Sequence, residues 1–288
     1  MDAPHHVVGT SQAEQELYFA EKFSDKTKSA LDILNRVPVE KICSKGKVQH
    51  VTTKDNLYAF TDLCISEHIQ SAPIHNVEKQ SHRAFIDVID VVAHTLDVYN
   101  KVKADKNWEE GRKLWEAKNC QELADHSKRD PFSPVGEETP LLDVIEKFIK
   151  FKAHRLPIID GAGELVHLIS QLRVVEVLEK HIGKFKCATT TVKALQLGYK
   201  DCVYSVKESE AVATGFQTML EHHVSGLAVL DAGGKVVGNL SATDMKHVAS
   251  DRKVDLSQLE LSVKDFCEAI SKNTDPKLVR SPRLLPWL

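Results

Sequence analysis

One pattern recurs three times along the chain and limits what it can become: an apolar strand, a short turn, and a second strand running straight into a helix. The copies read SAPIHN then FIDVIDVV, HRLPIID then VHLISQLRVV, and HHVSGLAVLD then VVGNLSATDM. Pro73, Pro157 and Ala228 are equivalent strand positions, and Asp90, Arg173 and Asp244 are equivalent first-turn positions. From the second copy to the third each position advances by 71 residues, and VKAL at Val192 returns as VKDF at Val263 after the same interval. A unit copied at this scale buries its apolar face against its neighbours, which places function between copies. A fourth copy opens in register at VKDF, without room to finish before Leu288.

A chain of 288 residues, 42% hydrophobic and 27% charged, can bury a substantial core. The net charge of −3 and pI near 6.5 give electrostatic binding to nucleic acid or to an anionic membrane no support at the whole-chain level. The six cysteines are scattered, with neither a C-x-x-C pair nor zinc-ligand spacing, which suits buried thiols in a reducing compartment. The N-terminus lacks the charged and apolar regions of a signal peptide, and no apolar run is long enough to span a bilayer. The expected location is cytosol or nucleus.

The pattern predicts an α/β (α+β) protein of small mixed sheets with two helices each. Residues 1–37 read as an N-terminal helical arm, with a helix over 11–36 ended by Pro38. A first module spans 38–100, its first helix capped by Asp55. A charged linker helix over 101–130 sets Trp108 and Trp115 on one face. The second module covers 131–182, with Thr139 as N-cap and Pro140 at the first helical position; the third covers 188–250, with Ser209 as cap. Residues 260–288 read as the truncated start of a fourth.

The strand-to-helix corners carry the chemistry. In the third module Ser241 sits where strand meets helix and Asp244 falls in the first helical turn, where a carboxylate can accept ribose hydroxyls while the helix N-terminus favours phosphate. The same S-x-x-D is also a capping box, and spacing alone does not separate the two. His154 and Arg155 present phosphate-binding groups at a strand end, or form a solvated strand end. Asp87 and Asp90 occupy the first corner. No P-loop, G-x-S-x-G or nucleophile and base set is present in the sequence, so no catalytic constellation and no catalytic cofactor is expected.

These segments resemble cystathionine-β-synthase-type (CBS) modules. More narrowly, over about residues 30–273, the tandem resembles the gamma regulatory subunit of AMP-activated protein kinase and its yeast and plant relatives. The narrower likeness rests on HRLP, on Arg173 where other modules place a ribose aspartate, on LQLG before the third module, and on LSVKDF. It implies a disk of paired modules (Bateman pairs) and a non-catalytic, energy-sensing subunit that binds AMP, ADP or ATP. It also implies kinase catalytic (alpha) and scaffold (beta) partners. The ligand-binding set it implies is Asp90, His154, Arg155, Ser170, Arg173, His222, Ser225, Ser241 and Asp244, with no metal. Gln70, Leu172 and His223 stand where the family has cations, and Asp87 where it has a hydroxyl. Two alternatives stay open: a scaffold whose clefts have lost their ligand, and a CBS protein that binds another adenosyl ligand such as S-adenosylmethionine. An unpaired third module would expose its sheet face and favour self-association.

Overall fold

A computed structural model describes residues 30–43, 48–129, 131–185, 188–195, 203–250 and 252–273. The expected helix over 11–36 falls mostly outside these residues; its end is α1 (Ala30–Leu34). The tail after Asn273, Cys187 and Cys202 also lie outside them.

The repeat yields three sheets of three strands. The first is β1 (Val51–Thr52), β2 (Ser71–Asn76) and β3 (Ser81–Asp87) in the order β1-β2-β3, with α2 (Leu57–Ser66) between β1 and β2 and α3 (Val88–Val102) directly after β3. After α4 (Trp108–Glu116) the pattern returns as β4 (Val135–Gly136), α5 (Leu141–Phe151), β5 (Arg155–Ile159), β6 (Leu165–Ser170) and α6 (Gln171–Lys180). It returns again as β7 (Ser205–Lys207), α7 (Val212–Glu221), β8 (Gly226–Leu230) and β9 (Val236–Ser241). In the second and third sheets the short first strand pairs parallel with the central one, and the hairpin pairs antiparallel. A parallel pair needs a crossover, which α5 and α7 supply. The two hairpins turn on Asp160 and Asp231, whose carboxylates accept the backbone N–H groups of Ala162 and Glu164, and of Gly233 and Lys235.

The third copy departs from the expected helix. After β9 comes a short 3₁₀ turn, Ala242–His247, followed by the hairpin β10 (Ala249–Ser250) and β11 (Lys253–Val254). Thr243, Asp244, His247 and Ser250 of ATDMKHVAS are weaker helix formers than the Leu, Arg, Glu and Lys residues of the second copy's QLRVVEVLEK. A second 3₁₀ turn, Leu256–Glu260, leads into α8 (Val263–Asn273).

Three expected helix caps are corrected. Asn56, not Asp55, caps α2, accepting from Ala59 N at 3.0 Å, while Asp55 accepts from Thr52 N. Pro140 and Ala211 occupy the cap positions of α5 and α7 and offer no side-chain bond, so neither Thr139 nor Ser209 does this work. A crossing backbone supplies the acceptor instead. Val37 O accepts from Leu141 N and Leu261 O from Val212 N; in return Val39 N donates to Thr139 O and Val263 N to Glu210 O. Cys120 N donates to Asp55 O in the same way at α2.

Two compact units divide the chain. The first comprises residues 1–50, 75–84 and 129–197, and its core joins Val37, Val39 and Ile42 to Leu141, Val144, Leu156, Ile158 and Ile169. The second comprises 51–74, 85–128 and 198–288; in it α3 packs against α4, α7 and the Ala242–His247 turn, and α8 against α7. Trp115 is fully buried there, its indole donating to Thr95 Oγ1, and Trp108 stacks on Tyr99. Val236 and Val237 of β9 stay half exposed, while Leu227, Ala228 and Val229 of β8 are buried.

Candidate functional site

Each module turns from strand to helix through the same device. Asp87, Ser170 and Ser241 hold extended backbone, with φ between −106° and −120° and ψ between 149° and 158°, and their side chains accept from Ile89 N, Arg173 N and Thr243 N. One residue on, the N–H of Val88, Gln171 and Ala242 donates to the carbonyls of Gln70, His154 and Ser225. The sequence-predicted residues therefore gather at corners: His154, Arg155, Ser170 and Arg173 at the second, Ser225, Ser241 and Asp244 at the third. Arg155 lies directly across the hairpin from Ser170, as Gly226 does from Ser241.

The third helical position differs between corners, and this decides their chemistry. Asp90 is buried, and its two carboxylate oxygens accept the N–H of Asp87 at 2.8 Å and of Ser127 at 2.8 Å. Burial pushes its pKa up, opposed by the bonds from Ser127 and Asp87. Asp244 is equally buried and accepts from Ser241 N at 2.9 Å, closing the same capping box. Arg173 cannot accept. Its Nε donates to Ile42 O at 2.7 Å, and its guanidinium also meets Glu176 at 3.1 Å. Arg173 thus fastens the Val39–Ile42 turn to the second corner.

His222 terminates α7 and is exposed, its ring stacked on Tyr204 with centroids 4.1 Å apart. Leu172 is half exposed, and Gln70 contributes its carbonyl to the first corner. His223 stands in the left-handed region at φ 54°, where His68 (φ 55°) and Lys152 (φ 52°) stand after α2 and α5. Two participants escaped the sequence reading. Ser127 acts through its backbone N–H, which leaves no residue signal; Tyr204, an aromatic directly before β7, does leave one. Among the described residues no group of three or more His, Cys, Asp or Glu is set to hold a metal ion, and no helix is long and apolar enough to cross a membrane.

The fold and the repeated corner define a class, and family comparison agrees: the CBS domain model matches residues 125–180 and 200–251. The second and third copies of the repeat are thus similar to CBS domains. Within that class the chain is similar to gamma subunits of AMP-activated and related kinases. It is 26% identical over 148 residues to an SNF1-related protein kinase regulatory subunit gamma-1-like protein of Arabidopsis thaliana, covering 49% of this chain and 33% of that one. It is 22% identical over 204 residues to the 5'-AMP-activated protein kinase subunit gamma-3 of Bos taurus, covering 69% and 40%. The chain thus spans 33% to 40% of the length of these curated relatives. Among solved structures, a protein of Methanocaldococcus jannaschii described as a proposed archaeal homologue of the kinase gamma subunit superposes with a TM-score of 0.65 at 15% identity, covering 80% of this chain and 81% of that one.

Proposed function

We propose that the protein is a non-catalytic regulatory subunit that binds an adenine nucleotide and reports it to a kinase of the AMP-activated type, with catalytic and scaffold subunits as partners, in the cytosol or nucleus. The observation that carries this reading is the third corner. Asp244 is buried in the 3₁₀ turn after β9, held by Ser241 N, with Ser241 Oγ and Thr243 Oγ1 2.9 Å apart beside it. A carboxylate so placed accepts ribose hydroxyls. The second corner, in the other compact unit and taken by itself, carries Arg155, a cation suited to bidentate phosphate contact. Sensing requires that nucleotide bind one arrangement of the protein better than another.

Calorimetric titration with AMP, ADP and ATP tests it. Asp244→Asn keeps a carbonyl oxygen for Ser241 N, so the fold survives while the charge-assisted contact to ribose is lost. A drop of roughly tenfold or more is expected, since such bonds contribute about 1.5–3 kcal/mol. A flat titration of folded wild-type protein with all three nucleotides would remove the reading.

The scaffold reading is favoured at the first corner. With both Asp90 oxygens engaged by backbone N–H groups, a ribose there must first displace Ser127. Under that reading kinase subunits co-purify with the protein whether or not nucleotide is present, and Asp244→Asn changes nothing.

A further inference from the structure

The first module's sheet carries three side chains that the nucleotide reading leaves unused. β2 ends at Asn76 and β3 begins at Ser81, so His75 and His82 each stand one residue back from the turn. His50 directly precedes β1, the strand beside β2. The three rings close a triangle, with centroids 5.4 Å apart for His50 and His75, 5.3 Å for His50 and His82, and 4.8 Å for His75 and His82. All three belong to the first compact unit.

Both ring nitrogens of His82 are buried with no hydrogen-bond partner. Such a group is costly to leave unsatisfied, and each instance in a folded protein calls for a reason. A neutral imidazole is the form that ligates metal. His50 Nδ1 lies 3.4 Å from Val48 O. A proton on that nitrogen points to the carbonyl and leaves Nε2 as a bare lone pair, the arrangement that orients metal-bound histidines.

Three imidazoles around a tetrahedral Zn²⁺, with Zn–N distances of about 2.0–2.1 Å, place their ring centres roughly 5 Å apart. The triangle has that size already. With the rings as they stand, no such group among the described residues is set to hold an ion. Rotation about χ2, a broad torsion for imidazole, would turn the ring nitrogens inward around centres already at ligand spacing. We propose that His50, His75 and His82 form a three-histidine site for a divalent transition-metal ion of the zinc class, with a fourth position left to water or a partner's group.

The full-length protein, stripped with chelator and checked by circular dichroism, is titrated with ZnCl₂, and separately with Co²⁺ to read the visible band of a tetrahedral site. One tight equivalent is expected. It should weaken by more than about 100-fold in His82→Phe and in His50→Gln, since even outer-shell losses cost 10–100-fold. It should persist in a His222→Gln/His223→Gln double variant, which controls for chelation elsewhere among the 14 histidines. His50 is only half buried, so its variant remains informative if His82→Phe folds poorly. No tight uptake, or uptake indifferent to both His82→Phe and His50→Gln, overturns the site. So does uptake that vanishes in the double variant.

Discussion

Asp90, Arg173 and Asp244 occupy one position of one repeat and do three different things, and the difference lies in what each can accept. Asp90 uses both oxygens on backbone N–H groups, so Asp90→Ala strands two part-buried donors. A loss of about 2–3 kcal/mol is expected, measured as a shift in the urea midpoint at constant slope. A loss under about 1 kcal/mol would mean that Ser127 N finds another acceptor. Arg173→Ala leaves the carbonyl of Ile42, itself fully buried, without its donor at 2.7 Å and should cost about 1–3 kcal/mol. The ligand reading of Arg173 predicts instead a nucleotide effect with little change in stability. The capping box at Ser241 was legible in the sequence, because S-x-x-D is a local signal, whereas Ser170, followed by Q-L-R, carries no such signal. The partner of Asp90 was not legible: Ser127 lies 37 residues away and contributes a backbone atom that any residue but proline supplies.

The helices show which device the periodicity hides. α2, α5 and α7 end on His68, Lys152 and His223 in the left-handed region, where β-carbons are disfavoured and glycine is the usual occupant. Lys152 is exposed, and Lys152→Gly should stabilise the protein by about 0.5–1 kcal/mol, read as a raised melting temperature. A lowered one would show that the lysine stem packs on its module. At their starts, α5 and α7 are capped by backbone from the segments around Pro38 and Ser262, which is why the side-chain caps expected at Thr139 and Ser209 are absent. Side-chain caps can be read locally, whereas an acceptor delivered by a crossing strand belongs to tertiary structure. The VKDF segment is accordingly an integral part of the third module's core. Phe266 is buried edge-to-face against Phe216, with centroids 6.4 Å apart. Phe266→Ala should cost about 3–5 kcal/mol, and a cost near zero would make α8 an appendage.

For the molecule as a whole, the buried titratable groups set a stability profile against pH, and their signs differ. His82 has a folded pKa of about 4 against an ordinary 6.5, so between those values the unfolded chain binds more protons. Its contribution is complete above 6.5 and is lost as pH falls toward 4. Asp90 is raised above 3.8 by burial, so its contribution is complete below 3.8 and is lost as pH rises through its folded value. Cys43 and Cys120 are pushed up to about 12 from 9.0, which adds stability that is complete below 9.0 and lost above it. The sum is a plateau between about 6.5 and 9, with an acid limb that His82 steepens and Asp90 flattens. In chelator-treated protein, urea midpoints measured from pH 4 to 9 should show a shallower acid limb in His82→Phe and a steeper one in Asp90→Asn. Parallel limbs in wild type and His82→Phe would mean that His82 finds a proton acceptor in solution.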